Sequence, residues 1–160
     1  MNQRIKLSTE LFGLNQHLAL KALGQLKPED FHTRPMDCAN SFQWVFGHVV
    51  ASRFHLAKAL GLDVEAPGDK LYAMGADTHG PDAYPSVEEL KKAYSEVTAK
   101  LQERFQNVTD SELDAAPPYK IPGIEESLAG LVSFLAFHEA YHVGQLAYII
   151  RLHGCERLVG

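Results

Sequence analysis

Two histidines, His138 and His142, stand four residues apart in the stretch from Leu128 to His153, LAGLVSFLAFHEAYHVGQLAYIIRLH, which is long, apolar and free of proline. On an α-helix, positions i and i+4 share a face, with β-carbons about 5–6 Å apart, so two imidazoles at this spacing can address one atom. Leu131, Phe134, Leu135, Leu146 and Ile149 lie on or beside the same face, which places the pair in an apolar seam. An unpaired polar group buried there costs about 1–3 kcal/mol, so each imidazole needs a partner. A shared metal ion is one such partner. Hydrogen bonds inside an ordinary core are the other, and the pair alone leaves both open.

A third histidine favours the metal. His48 falls in SFQWVFGHVVASRFHLAKAL, three residues after Val45 and four before Ser52. Val45, Val49, Ser52, Leu56, Ala59 and Leu60 mark the inner side of that helix, so His48 faces inward as well. Facing helices of a bundle assemble metal sites in this way. Three neutral imidazoles leave coordination positions open for water or substrate, the pattern of a catalytic rather than a closed structural site. Such a set accepts one divalent ion, zinc or nickel first and manganese or iron next, because imidazole discriminates poorly. The ion lowers the pKa of a bound water or thiol and holds the anion as a nucleophile.

The remaining candidates are weaker. His55 lies two turns beyond His48, a rise of about 10 Å, too far for a fourth ligand. His17 and His79 read as solvated residues, and Cys38 as an inert loop thiol. Gln145, one turn after His142, either orders a ligand or packs at a helix interface. Tyr141 lines a cavity or fills core.

The elements that must position these groups follow from periodicity. Residues 4–26 carry Leu7, Leu11, Leu14 and Leu18, then Leu20, Leu23 and Leu26, at helical spacing, with Pro28 just beyond. Residues 28–40 hold prolines and mixed polar residues and read as a loop or a short helical turn. Asn40, with Gln43 three residues on, fits a capping box better than Ser41, and Gly61 stops the second helix. Residues 62–85 are rich in glycine and proline and long for a plain connection, which marks a lid or mouth; a short helical turn is expected at Asp69–Met74. Ser86 and Glu89 form a capping box at the head of a third helix, with Leu90, Ala93, Tyr94, Val97, Leu101 and Phe105 inward and paired charges outward. Thr109 to Pro118 suggests one helical turn and a stop. No segment alternates strictly and no hairpin turn is present, so the expected fold is all-α, one domain over residues 1–160, an antiparallel four-helix bundle.

Composition excludes several classes. A net charge of −5 without a basic cluster argues against nucleic acid. The N-terminus has no apolar signal region, and His138, Glu139, His142 and Gln145 interrupt the most apolar helix, so neither a secretory signal nor a membrane span is expected. Two distant cysteines fit reduced thiols, and the cytoplasm is the expected location.

The segment His138-Glu139-Ala140-Tyr141-His142-Val143-Gly144-Gln145-Leu146 resembles the C-terminal signature of the DinB-like superfamily, the DinB/YfiT-like metalloenzymes. Ser41-Phe42-Gln43-Trp44-Val45-Phe46-Gly47-His48 resembles that family's other motif, and Ser86-Val87-Glu88-Glu89-Leu90 with the Pro/Gly-rich stretch before it is similar too. The resemblance implies an up-down-down-up four-helix bundle, one divalent metal on His48, His138 and His142, and a homodimer. It also implies, for some relatives, transferase or isomerase chemistry with low-molecular-weight thiols. The expected function is therefore a metal-dependent enzyme acting on a small molecule, as a thiol S-transferase or a hydrolase. A non-catalytic metal- or ligand-binding sensor is the alternative. A third reading comes from His138-Glu139-Ala140-Tyr141-His142, which spells the HExxH of zinc proteases. The longer protease form needs glycine at 145 and histidine at 148, where this chain has Gln145 and Tyr148.

Overall fold

The computed structural model describes residues 1–36, 39–73, 80–120 and 123–159. Cys38, His79 and the end of the turn expected at Met74 lie outside them. Four long helices, α1 (Lys6–Leu23), α2 (Phe42–Ala59), α3 (Val87–Asn107) and α5 (Leu128–Leu152), enclose the core, and α4 is a single turn, Asp110–Leu113.

Local signals account for the helix ends. Ser41, not Asn40, caps α2, its hydroxyl accepting from the Trp44 amide at 3.2 Å. The expected Asn40 box is thus corrected by one residue, because the chain turns helical only at Phe42 and three residues from Ser41 falls on that orphan donor. Ser86 caps α3 in the same way through the Glu89 amide. The full reciprocal box occurs instead at α4, between Thr109 and Glu112. Gly61 ends α2 with φ +83°, a conformation that penalises any Cβ.

Hydrogen bonds between helices set their directions. Ser8 meets Ser133, Asn15 donates to the Ala136 carbonyl and Lys21 to that of Leu158, so α1 and α5 are parallel neighbours. Gln43 donates to the Pro85 carbonyl, Arg53 to Thr98, and Arg104 to the Leu60 carbonyl, so α2 and α3 also run together. Arg53 of α2 meets Glu139 of α5, whereas Val45, eight residues earlier in α2, shares a cleft with Ile149, ten residues later in α5, so α2 and α5 are antiparallel. The bundle is therefore up-down-down-up. Parallel α2 and α3 force residues 60–86 back along the bundle, a return of about 27 Å for the eighteen residues of α2.

Helix α2 is buried on nearly every side, with Phe42, Val45, Phe46, Val49, Val50, Phe54 and Leu56 in one core with Leu90, Tyr94, Leu101, Leu131, Leu146 and Ile150. Helix α1 differs from its leucine pattern. Leu7 and Leu14 are exposed, and the buried face is Ser8, Phe12, Asn15, Ala19, Ala22 and Leu23. Two polar residues sit inside because α5 offers each a partner, Ser133 and the Ala136 carbonyl, so their burial leaves nothing unpaired.

Candidate metal centre

The middle of α2 and the middle of α5 cross where the three histidines lie. His48 Nε2 is 3.2 Å from His138 Nε2, which is 3.1 Å from His142 Nε2, and one nitrogen of each lies within 4.8 Å of the others. Two nitrogens bound at about 2.0–2.1 Å to one tetrahedral ion stand roughly 3.3 Å apart, close to these separations.

The outer nitrogens are fixed by oxygens. His48 Nδ1 donates to the Tyr72 carbonyl at 2.7 Å, and His142 Nδ1 to Gln145 Oε1 at 2.7 Å. A proton on each Nδ1 leaves a lone pair on Nε2, the tautomer a metal requires. His138 Nδ1 is buried with no hydrogen-bond partner among the described residues. Three Nε2 lone pairs aimed at one point repel unless a cation lies between them, so the donor set fits a divalent ion. Burial lowers all three imidazoles, opposed at His48 by the Tyr72 carbonyl and at His142 by Gln145. His138, beside two like groups, falls to about 4, burial first and then His142 and His48. The cluster is thus neutral at neutral pH and ready to bind metal.

The Tyr72 carbonyl arrives on a 3-10 turn, Asp69–Tyr72, within the long connection. Its approach needs Gly47. A Cβ there would meet Tyr72 Cε1 and Cζ at 2.2 Å. Trp44 stacks on His48 at 5.1 Å between ring centroids, Phe134 lies 6.0 Å from His138, and Tyr141 stands edge-on to His142 at 5.2 Å. These rings shield the imidazoles from water.

Glu139 takes no part in the cluster. It points between α2 and α3, accepting from Arg53 Nε at 2.9 Å and from the Tyr94 hydroxyl at 2.9 Å, while Arg53 Nη2 also reaches it. Arg53 further donates to Thr98 and to the Phe12 carbonyl. Both charged side chains are at most 2% exposed. Burial, reinforced by Glu139, holds the Tyr94 phenol well above its ordinary range, so it stays a donor. The general base of the protease reading is therefore engaged elsewhere, and HExxH here is a shared spelling.

His48, His138 and His142 are brought together as the spacing predicts. His55 is exposed and pairs with Asp69 at 2.7 Å, and His17 is exposed. Gln145 holds the His142 ring through Nδ1, while Tyr141 is 58% exposed and lines the mouth rather than the core. Sequence reasoning missed Arg53, Tyr94 and Thr98, which read as ordinary amphipathic positions. It also missed the Tyr72 carbonyl, for which Gly47 beside His48 was the one available signal.

Residues 11–146 match the model of the DinB superfamily. Three solved structures are similar in fold. A DinB-like protein from Bacillus cereus shares 21% identity over 89% of this chain and 88% of its own, with TM-score 0.67. A conserved protein from Enterococcus faecalis shares 16% over 95% and 97%, with TM-score 0.65. YfiT from Bacillus subtilis, described as "a probable metal-dependent hydrolase with an unusual four-helix bundle topology", shares 13% over 98% and 91%, with TM-score 0.63. No curated protein matches the chain.

Proposed function

The chain belongs to the DinB superfamily, and from that footing we propose that it is a metal-dependent enzyme acting on a small molecule, with one divalent ion, zinc or nickel first, on His48, His138 and His142. The convergence of three Nε2 atoms carries the reading, together with Nδ1 protons committed to oxygen at His48 and His142. When bound, the ion supplies a coordinated water or thiol activated near neutral pH. The chain's own residues do the rest. Tyr72 and Gln145 fix the rings of His48 and His142, and Trp44, Phe134 and Tyr141 limit water around them. Hydrolysis and transfer from a low-molecular-weight thiol both fit a three-histidine set with open positions. YfiT's description as a metal-dependent hydrolase supports the first.

The test is metal content of the purified protein beside His138→Ala/His142→Ala. One zinc or nickel per wild-type chain and none in the variant supports the site; equal, negligible metal in both overturns it. A screen of low-molecular-weight thiols with an electrophilic acceptor, and of hydrolysable esters and amides, then separates enzyme from sensor. Metal-dependent turnover lost in His48→Ala supports catalysis, and tight binding without turnover supports a sensor.

Cytoplasmic location and pairing of two copies belong to the same proposal. No helix among the described residues is long and apolar enough to cross a membrane. The parallel neighbours α1 and α5 expose Leu7, Leu14 and Phe137 at 69%, 52% and 64%, apolar surface that a second copy would cover. Light scattering on Leu14→Glu/Phe137→Glu checks this, with a halved mass expected.

A further inference from the structure

A cleft of about 480 Å³ opens beside the imidazoles, between α5, the start of α2 and the segment joining α1 to α2. Its walls are Met36, Val45, Tyr141, Tyr148 and Ile149, and Asn40 and Gln145 add side-chain amides to the two tyrosine hydroxyls. That volume is in the range of small-molecule pockets, and an apolar lining with few polar groups is their usual make-up. None of its described lining residues carries a charge.

The cleft adjoins the metal centre through two residues. Tyr141 meets the His142 ring, and Gln145 holds His142 Nδ1. The second contact fixes the polarity of the cleft. With His142 Nε2 directed at the cluster, its Nδ1 keeps the proton, so the oxygen of the Gln145 amide must face it. The amide nitrogen makes no hydrogen bond within the described chain and is left as a donor for whatever enters. A donor set among aromatic and aliphatic walls pairs with an acceptor oxygen and leaves an ammonium group without a partner at Gln145. It selects for an acceptor oxygen on an apolar body.

We propose that this cleft holds the non-reacting part of the substrate, a molecule with an aryl or alkyl body and a carbonyl or similar acceptor that receives the Gln145 N–H. The inference rests on the metal reading above, since that reading orients Gln145. It narrows the thiol and ester candidates to those that carry such an acceptor on an apolar body.

Phenylbutanamide and phenylbutylammonium share one body and differ in head group, so they serve as probes. Binding to zinc-loaded protein is measured by calorimetry, with zinc stoichiometry determined first. Two variants block the cleft from opposite walls, Gly144→Trp and Ala39→Trp. A Cβ on Gly144 meets nothing within 4 Å, so the new side chain leaves the bundle packing alone. The amide should bind about tenfold tighter than the ammonium, the worth of one good hydrogen bond. Either blocking variant should abolish amide binding while keeping one zinc per chain. Zinc bound with no amide binding, equal binding of the two probes, or amide binding unaffected by both tryptophans overturns the cleft and leaves the metal site standing. Amide binding blocked by tryptophan in a protein that takes up no zinc supports the cleft and overturns the metal reading alone.

Discussion

Gly47→Ala should weaken metal binding although residue 47 touches no metal. The new Cβ would lie 2.2 Å from Tyr72 Cε1 and Cζ and 2.7 Å from its hydroxyl. Carbon atoms rest at about 3.5–4.0 Å, so the ring must retreat by roughly 1.3–1.8 Å. The Tyr72 carbonyl is on the same residue, 2.7 Å from His48 Nδ1. A retreat of that size carries it to the limit of about 3.5 Å or beyond, where the hydrogen bond is lost. Losing the group that orients a metal-binding histidine costs about 10–100-fold in affinity. Overpacking adds about 1–3 kcal/mol of destabilisation, a fall of about 2–12 °C in Tm at this chain length. Zinc affinity by chelator competition and Tm by calorimetry read the two effects separately. Tyr72→Leu placed on Gly47→Ala removes the clashing ring but keeps the backbone carbonyl, so zinc affinity should recover while stability does not. Wild-type zinc affinity in Gly47→Ala would refute the coupling of the connection to His48.

Glu139→Gln leaves Arg53 buried beside a neutral amide, and breaking a buried pair costs about 3–5 kcal/mol, so Tm should drop steeply while zinc stoichiometry stays at one; metal loss with unchanged Tm would instead put Glu139 at the metal. The metal-free protein should lose stability as pH falls from about 6.5 toward about 4, because the unfolded chain takes up protons at His138 that the folded state refuses until about 4, with His48 and His142 acting in the same direction. Above pH 6.5 that contribution is fully present, and His138→Phe should flatten the curve of Tm against pH. His55→Ala should leave zinc content unchanged, since its ring reaches Asp69 at the surface, and a change in stoichiometry would restore it as a ligand.

The histidine cluster was legible because helical spacing is a strong constraint. His138 and His142 had to share a face, and the apolar run around them said which face. Helix α3 was legible for the same reason, its stripe from Leu90 to Phe105 being the buried one with Ala93 only half-buried. Helix α1 was misread because hydropathy assigns polar residues outward. Ser8 and Asn15 are inside on the strength of partners more than a hundred residues away, which no local pattern contains. Arg53 was invisible on the same ground, since a charged residue is read as solvated unless its counter-charge is known, and Glu139 lies 86 residues on. Gly47 could signal a close approach beside His48 but not that Tyr72 makes it, because every residue carries a carbonyl and only the path of the connection decides which arrives.

The parallel pairing of α1 with α5 also sets when the protein can fold. The bonds joining these helices span 125, 121 and 137 residues, so each must close over most of the bundle's length. Most helical bundles close through neighbouring hairpins and fold quickly because their contacts are local. This one leaves Ser8 and Asn15 without their partners until α5 has emerged, and two of the three clustered histidines arrive with that helix. Folding should therefore be slow for an all-helical chain, with the inner face of α1 exposed until α5 docks. A chain stalled before residue 138 would lack two of the three clustered histidines, so uptake of a metal there would report the docking of α5.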